Sequence, residues 1–424
     1  MNVAIKVLLF TLYLGLLYSL VFFFLTFLEK TGIFKKENKR KVIHLKHYPM
    51  VTIAVPAHNE EQGVYSTLAS LTRLDYPKDR MEIIVVNDGS TDNTEAEVKR
   101  AIKDFPELKI ILINQRNMGK GAALNKALEI ATGELFACLD ADSVVEPKTL
   151  KKMVYMFNTG GKELALVTPA MKVKEPRNIL QRLQRTEYII SILLQRLLAR
   201  MDSIYVAPGP FSVYRTSIIR KHGGFDHTSI TEDQEIAYRM QYHNYKIAHC
   251  HDGYVYTECP KNVFKLFRQR NRWYRGSLIN LLKYRRMMLN KSYGHFGVFQ
   301  MPLNLFSFFL GAGSVFFFVY FFIRPLARQV RNLYLTDFDI ATWLKDFRFN
   351  FNILDLNVNI LFVVAALFVF SLVVMFIAHR NAREGLGHRG FISLLAYFLV
   401  YYLLLGLFCC LAIIELGLGK KQKW

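Results

Sequence analysis

Four long apolar blocks constrain this 424-residue chain more than any single motif does. Residues 2–28 carry one charge, Lys6, and residues 301–323, 357–378 and 391–414 form three further blocks. A helix of about 20 apolar residues crosses the roughly 30 Å core of a bilayer. The chain therefore reads as about four transmembrane helices bracketing one soluble domain. The first block is too long for a signal-peptide core, and no small-x-small cleavage site precedes the basic stretch after it, so it reads as a retained anchor. Lys30, Lys35, Lys36, Lys39, Arg40, Lys41 and Lys46 follow it closely, with only Lys6 before or within it. Lys and Arg accumulate on the cytoplasmic side, so the expectation is a multi-pass plasma-membrane protein whose middle domain faces the cytoplasm. Four spans would put residues 324–356 outside, although that segment holds five basic residues against three in 380–389. Its four acidic residues and Trp343 fit a segment lying along the interface.

The net charge of +21 raises nucleic-acid binding as a function class. Many of the cations sit beside apolar blocks, where attraction to anionic headgroups accounts for them better. Membrane lipids are the expected partners and nucleic acid is not. Cys138, Cys250, Cys259, Cys409 and Cys410 form neither a zinc spacing nor a disulfide frame, which suits a reducing compartment.

From residue 51 short β-rich runs alternate with helical patterns. Strands are expected at Val51–Pro56, Glu82–Asn87, Lys109–Asn114, Glu134–Leu139 and Leu164–Thr168, with helices near 61–74, 93–104, 119–131 and 147–158. Such alternation predicts a Rossmann-like α/β domain over 51–258, with a mostly parallel sheet covered on both faces. Ligands of these sheets bind beyond the carboxyl ends of the strands. Polar residues collect there: His58, Asn59, Glu60 and Glu61 after the first strand, Asp88 to Thr94 after the second, and Asp140 to Ser143 after the fourth. Carboxylates converging on one crevice repel unless a cation or ligand offsets them. Asp140 and Asp142 are hard oxygen ligands of the kind that hold Mg²⁺ or Mn²⁺ together with a substrate phosphate. Asp88 reads equally as a ligand and as a turn residue before a helix, and Asp92 to Thr94 read as the cap.

Two further stretches have plain structural readings. Asp233 opens a helical pattern and could serve with Thr231 as its cap. Lys261 to Lys291 holds ten Lys or Arg and no acid among apolar residues, the pattern of amphipathic helices in the membrane interface over 259–295. Residues 176–200, with Arg177, Arg182, Arg185, Arg196 and Arg200, form a second such candidate. The remaining divisions are an anchor at 1–29, a basic linker at 30–50 and a C-terminal membrane region at 296–424.

Seven short strings recur in order: Pro56-x-x-Asn59-Glu60, Val86-Asn87-Asp88-Gly89-Ser90-x-Asp92, Asn117-x-Gly119-Lys120, Leu139-Asp140-Ala141-Asp142, Gly209 to Arg215, Thr231-Glu232-Asp233, and Gln269-Arg270-Asn271-Arg272-Trp273. Together they resemble glycosyltransferase family 2, in its membrane-embedded processive branch of cellulose, chitin, hyaluronan and poly-N-acetylglucosamine synthases. The resemblance covers about residues 51–276 and implies a GT-A fold, an inverting transfer from a UDP-sugar and a divalent cation. It implies that Glu60 and Asp88 hold uracil and ribose and that Lys120 approaches the nucleotide. Asp140 and Asp142 would place Mg²⁺ or Mn²⁺ against the diphosphate, and Asp233 would be the general base. Gln269, Arg272 and Trp273 would bind the diphosphate, and Trp273 with Gly209 would line the acceptor path. The chemistry requires the same parts: charge stabilisation of the departing diphosphate, a base for the acceptor hydroxyl and a platform for its ring.

The chain departs from the branch in places. His58 stands where many relatives have Tyr, and it is read as structural. Val206-Ala207-Pro208 replaces the aromatic and Cys pattern of cellulose-type enzymes. With few spans and no appended regulatory domain, the chain looks closer to short poly-N-acetylglucosamine or chitin-oligosaccharide enzymes. Elongation of a β-linked polysaccharide from UDP-N-acetylglucosamine or UDP-glucose, with translocation through the membrane helices, is the leading expectation. Transfer of one sugar to a lipid, as by a ceramide glucosyltransferase, is the alternative, and a non-catalytic nucleotide-binding scaffold is the remote one. Whether an accessory subunit or a second copy is needed stays open.

Overall fold

The computed structural model describes residues 45–335, 358–385 and 396–420, together with Tyr13, Leu17, Leu20 and Phe24, which are helical. The rest of the expected 2–28 anchor, most of the 30–50 linker, and parts of the 324–356, 380–389 and 391–414 segments lie outside the described residues.

The chain begins with β1 (Val51–Ala57), α1 (Val64–Thr72), β2 (Met81–Asp88), α2 (Thr94–Asp104), β3 (Lys109–Gln115), α3 (Lys120–Ile130), β4 (Leu135–Cys138), β5 (Val144–Val145) and α4 (Thr149–Thr159). It continues through β6 (Leu164–Val173), α5 (Ile179–Arg200), β7 (Ser212–Arg215), α6 (Thr216–Lys221), α7 (Glu232–Tyr242), β8 (Lys246–Thr257) and α8 (Val263–Lys283). The C-terminal helices are α9 (Met301–Phe318), the arginine-bearing α10 (Arg324–Leu335), α11 (Val358–Ala382) and α12 (Tyr402–Gly417).

One eight-stranded sheet runs in the order β3-β2-β1-β4-β7-β6-β8-β5. Successive side chains of a strand point to opposite faces, so Ile53 and Val55 of β1 join α1, α2 and α4 on one face. Ala54, with Ile84 and Val86, joins α3 and α7 on the other. The β3-β2-β1-β4 half is parallel, as the alternation predicts. The other half is mixed: β7 runs antiparallel to β4 and β6, and β5 antiparallel to β8. β6 also extends to Val173 rather than ending at Thr168. β7 is too short to show a period, and β8 carries His249, His251 and Asp252 within its apolar run.

The 176–200 stretch forms α5, opened by a capping box of Asn178 and Gln181. Ile189, Ile192, Leu193 and Leu197 of α5 pack against Ala170, Tyr254 and the α11 residues Ala378 and Ala382. Arg185 meets Glu384 at 2.6 Å, and Arg196 donates to Asn381 at 2.9 Å. These arginines therefore tie α5 to the end of α11. In α8 the expectation that most cations face headgroups fails for Arg270 and Arg275, which are buried, and for Lys283, which pairs with Asp226 and Glu235 at 2.8 Å each.

Among the described residues one helix, Phe296–Phe318, is long and apolar enough to cross a membrane, and Phe368–Ala382 and Tyr402–Gly417 are shorter apolar helices. α9 and α12 meet at small residues, with Gly406 against Gly311 and Ser314, the type of contact that lets apolar helices approach closely.

The contact that fixes α8 on the α/β domain also needs a glycine. A β-carbon on Gly276 would run into the Thr231 side chain, lying 2.8 Å from its Cβ and closer to its two outer atoms. Gly276→Ala is therefore expected to destabilise the protein by about 1–3 kcal/mol through overpacking. Thermal unfolding in nanodiscs checks this, and Thr231→Ala should restore part of the loss.

Candidate functional site

The strand ends form a connected polar surface. Asn59 sits at φ 56° and exchanges hydrogen bonds with the β2–α2 turn: its N–H donates to Ser90 Oγ at 3.0 Å, and its Oδ1 accepts from Thr91 N–H at 2.8 Å. His58 Nδ1 lies 2.8 Å from the Asp88 carbonyl, which gives it the structural place expected of it. Asp88 is buried, and its carboxylate accepts from Gln115 Nε2 at 2.7 Å and from the N–H groups of Met118 and Gly119 at 2.9 Å each. It thus shapes the loop that delivers Lys120 at the first turn of α3. Asp88→Ala would leave those donors without their acceptor, at about 1–3 kcal/mol for a buried group. Its expected result is a weaker donor, read as a raised KM for nucleotide sugar at nearly unchanged acceptor KM.

Lys120 Nζ lies 2.5 Å from Asp140 Oδ1 and 3.4 Å from Glu232 Oε1, joining the end of β4 to the start of α7. Gly209 lies directly against this pair. A β-carbon there would collide with Lys120 Nζ and come within 2.9 Å of Asp140 Oδ2, so a larger residue would push the ammonium and carboxylate out of their present pairing. The turn that presents Gly209 is strained: Phe211 is fully buried at φ 63°, which costs a bulky residue about 1–3 kcal/mol and is met mostly at functional sites.

Asp142 Oδ1 accepts from Ser143 Oγ at 2.8 Å. Burial and the neighbouring Asp140 push the Asp142 carboxyl up to about 6. Burial, then Asp142 and Asp140, push Glu60 up to about 7. Three of the four expected donor-side carboxylates, Glu60, Asp140 and Asp142, are therefore brought together, with Glu258 as a further negative neighbour, whereas Asp88 is spent on its own loop. No group of three or more metal-binding side chains occurs among the described residues. Two hard carboxylates strained by mutual repulsion, and not a full protein cage, are the donor set that suits Mg²⁺ or Mn²⁺ shared with a phosphate.

Asp233 is half-buried on the first turn of α7. Thr231 is the N-cap residue, but its side chain does not cap the helix; it accepts instead from Asn280 Nδ2 at 3.2 Å. Burial, then the adjacent Glu232, push Asp233 up to about 6, against the pull of Lys120 and Arg272. The Asp233 carbonyl accepts from Ala207 N–H at 3.1 Å, which ties α7 to the Gly209 turn. Gln234 Nε2 to Ser277 Oγ at 3.1 Å adds a second tie to α8. Gly276 and these bonds set the helix bearing Gln269, Arg272 and Trp273 beside Asp233. Gln269 Oε1 accepts from Arg270 Nη1 at 2.8 Å, and the Arg270 guanidinium lies 4.0 Å from the Trp273 ring centroid.

Glu232, Glu258 and Phe211 join the site without being expected from the sequence. Glu232 stands in the same string as Asp233. Phe211 stands in the Gly209 to Arg215 string, and nothing in the sequence marks Glu258, whose place depends on which segments meet in space.

Residues 52–223 match the family described as Glycosyl transferase family 2. The chain carries a family 2 glycosyltransferase domain. It is 31% identical over 273 residues to the probable glycosyltransferase YdaM of Bacillus subtilis, covering 63% of this chain and 65% of that protein. It is 29% identical over 252 residues to the poly-beta-1,6-N-acetyl-D-glucosamine synthase of Staphylococcus epidermidis, covering 59% of this chain and 60% of that one. Both matches span less than two thirds of the relative's own length. Among solved structures, the fold is similar to that of a mannosyltransferase from Pyrobaculum calidifontis in complex with GDP-Man and Mn2+, at a TM-score of 0.58 and 18% identity over 97% of this chain and 99% of that one.

Proposed function

We propose that this protein is an inverting, membrane-embedded glycosyltransferase that elongates a β-linked N-acetylglucosamine polymer from UDP-N-acetylglucosamine and passes it through its own membrane helices. The observation that carries the reading is the convergence of Glu60, Asp140, Asp142, Lys120 and Asp233 on one crevice, with Gly209 kept bare beside them. The likeness to the poly-beta-1,6-N-acetyl-D-glucosamine synthase supports the sugar and the polymer. The catalytic domain faces the cytoplasm, where nucleotide sugars are made, and about four helices cross the membrane.

Asp140 and Asp142 would hold Mg²⁺ or Mn²⁺, which would offset the charge of the departing diphosphate. Lys120 leaves Asp140 for the nucleotide phosphates, and Glu232 keeps its ammonium at the site during the exchange. Glu60 lies at the uridine end, and Asp88 acts through the loop it holds. Asp233 removes the proton of the acceptor hydroxyl as the new bond forms; its elevated basicity suits a base at neutral pH. Gln269 and Arg272 hold the diphosphate, and the Trp273 ring backs the acceptor sugar. Full-length protein in nanodiscs with Mn²⁺ should release UDP from UDP-N-acetylglucosamine faster than from UDP-glucose. Release from neither nucleotide sugar would refute the donor assignment.

A further inference from the structure

The most buried cation of α8 plays no part in the chemistry above. Arg270 is 2% exposed, the largest fully buried side chain among the described residues. Its Nη2 donates to Glu187 Oε2 of α5 at 2.7 Å, and its Nη1 donates to Gln269 Oε1 at 2.8 Å. Its guanidinium covers the Trp273 ring at 4.0 Å. The same Glu187 oxygen accepts from Tyr401 Oη at 2.6 Å. Tyr401 ends a π-helical turn, Tyr397–Tyr401, at the start of α12; such turns recur at functional positions. Three elements distant in sequence thus meet at one ion pair directly behind Gln269 and Trp273.

A buried ion pair is a poor source of stability, because desolvation offsets most of the attraction. Arg270 Nε, moreover, has no hydrogen-bond partner. What the arrangement supplies is direction: a planar guanidinium held by Glu187 fixes the ring stacked on it. We propose that Arg270 is a positioning residue, anchored by Glu187 and Tyr401, that holds the Trp273 ring in register with the acceptor and couples that register to the C-terminal apolar helix α12. The inference rests on the reading of Trp273 as the wall of the acceptor path.

Removing Arg270 would leave Glu187 without its counter-charge and could unfold the protein, so the milder Glu187→Gln and Tyr401→Phe are the test variants. The chain holds three tryptophans, so Trp343→Phe with Trp424→Phe leaves Trp273 as the single reporter. In that background, full-length protein in nanodiscs is titrated with acrylamide in the absence of donor. Both variants should raise the Trp273 quenching constant about twofold as the ring loosens. With donor and an N-acetylglucosamine oligosaccharide, the oligosaccharide KM should rise about tenfold, the scale of one lost hydrogen bond to a charged group, while the KM for UDP-N-acetylglucosamine stays within about twofold. The double variant should be little worse than Glu187→Gln alone, because both changes act on one oxygen. An unchanged quenching constant overturns the proposal, as does a parallel loss of donor KM, acceptor KM and melting temperature. Increased quenching in a protein that transfers no sugar would uphold the positioning of Trp273 and refute the functional reading instead.

Discussion

Asp233→Asn is expected to lower the rate of sugar transfer about 10²–10⁴-fold, the usual contribution of a positioned general base, with little change in affinity for UDP. The side chain is nearly isosteric, and the donor-side carboxylates lie on other elements. Burial beside Glu232 raises Asp233 to about 6. A base acts when ionised, so the wild-type rate should climb through pH 6 and level off above it. The same shift has a stability consequence of opposite sign. A carboxyl whose pKa is higher folded than unfolded favours the fold below its unfolded value and loses that contribution as pH rises to the folded value. Wild-type protein therefore bears the cost of an ionised Asp233 above pH 6. Asp233→Asn should melt at a higher temperature than wild type at pH 8, with the gap narrowing as pH falls below 6. Calorimetry at the two pH values, set beside the pH–rate profile, checks both. A variant that is inactive and also less stable at pH 8 would point to a structural role.

Asp140→Asn is the second large effect. The substitution weakens the expected cation site and also removes the counter-charge 2.5 Å from Lys120, leaving that ammonium with Glu232. Loss of at least about 10²-fold in turnover is expected, several kcal/mol of stabilisation of the departing diphosphate being at stake. Chelation of wild-type protein with EDTA should reproduce the loss, and added Mn²⁺ should reverse it in wild type while restoring little in the variant. Titration of UDP release against Mn²⁺ concentration separates the cases: a shifted half-saturation point marks a ligand, and an unshifted one marks a residue acting only through Lys120.

Much of this site was legible along the chain because α/β sheets put their chemistry at strand ends. The β1, β2 and β4 runs were apolar enough to mark, and Glu60, Asp140 and Asp142, which follow β1 and β4, lie close enough to act on one another's charge. The antiparallel half was not legible. Ser212–Arg215 forms a strand because β4 and β6 flank it, and four residues carry no period of their own. Burial of charge was equally hidden. In the ten-cation stretch of Lys261 to Lys291, Arg270 differs from its exposed neighbour Arg268 only in the direction it faces on α8. That direction is set by packing on Glu187 and Tyr401, residues from distant parts of the chain. Asp88 shows a third limit. Its place at the end of β2 was evident, but the consumption of its carboxylate by Gln115, Met118 and Gly119 depends on a loop conformation that spacing does not encode. The close approaches at Gly209 and Gly276 were hidden for the same reason, since a glycine in sequence does not name its neighbour.

In the proposed mechanism Asp233, a base on α7, drives polymer growth. That role is tested most directly by incubating the full-length protein in nanodiscs with radiolabelled UDP-N-acetylglucosamine and Mn²⁺ and sizing the product, with Asp233→Asn alongside. Wild type should yield a high-molecular-weight labelled glycan and the variant none. Label recovered only in a solvent-extractable lipid carrying one sugar would contradict polymer growth.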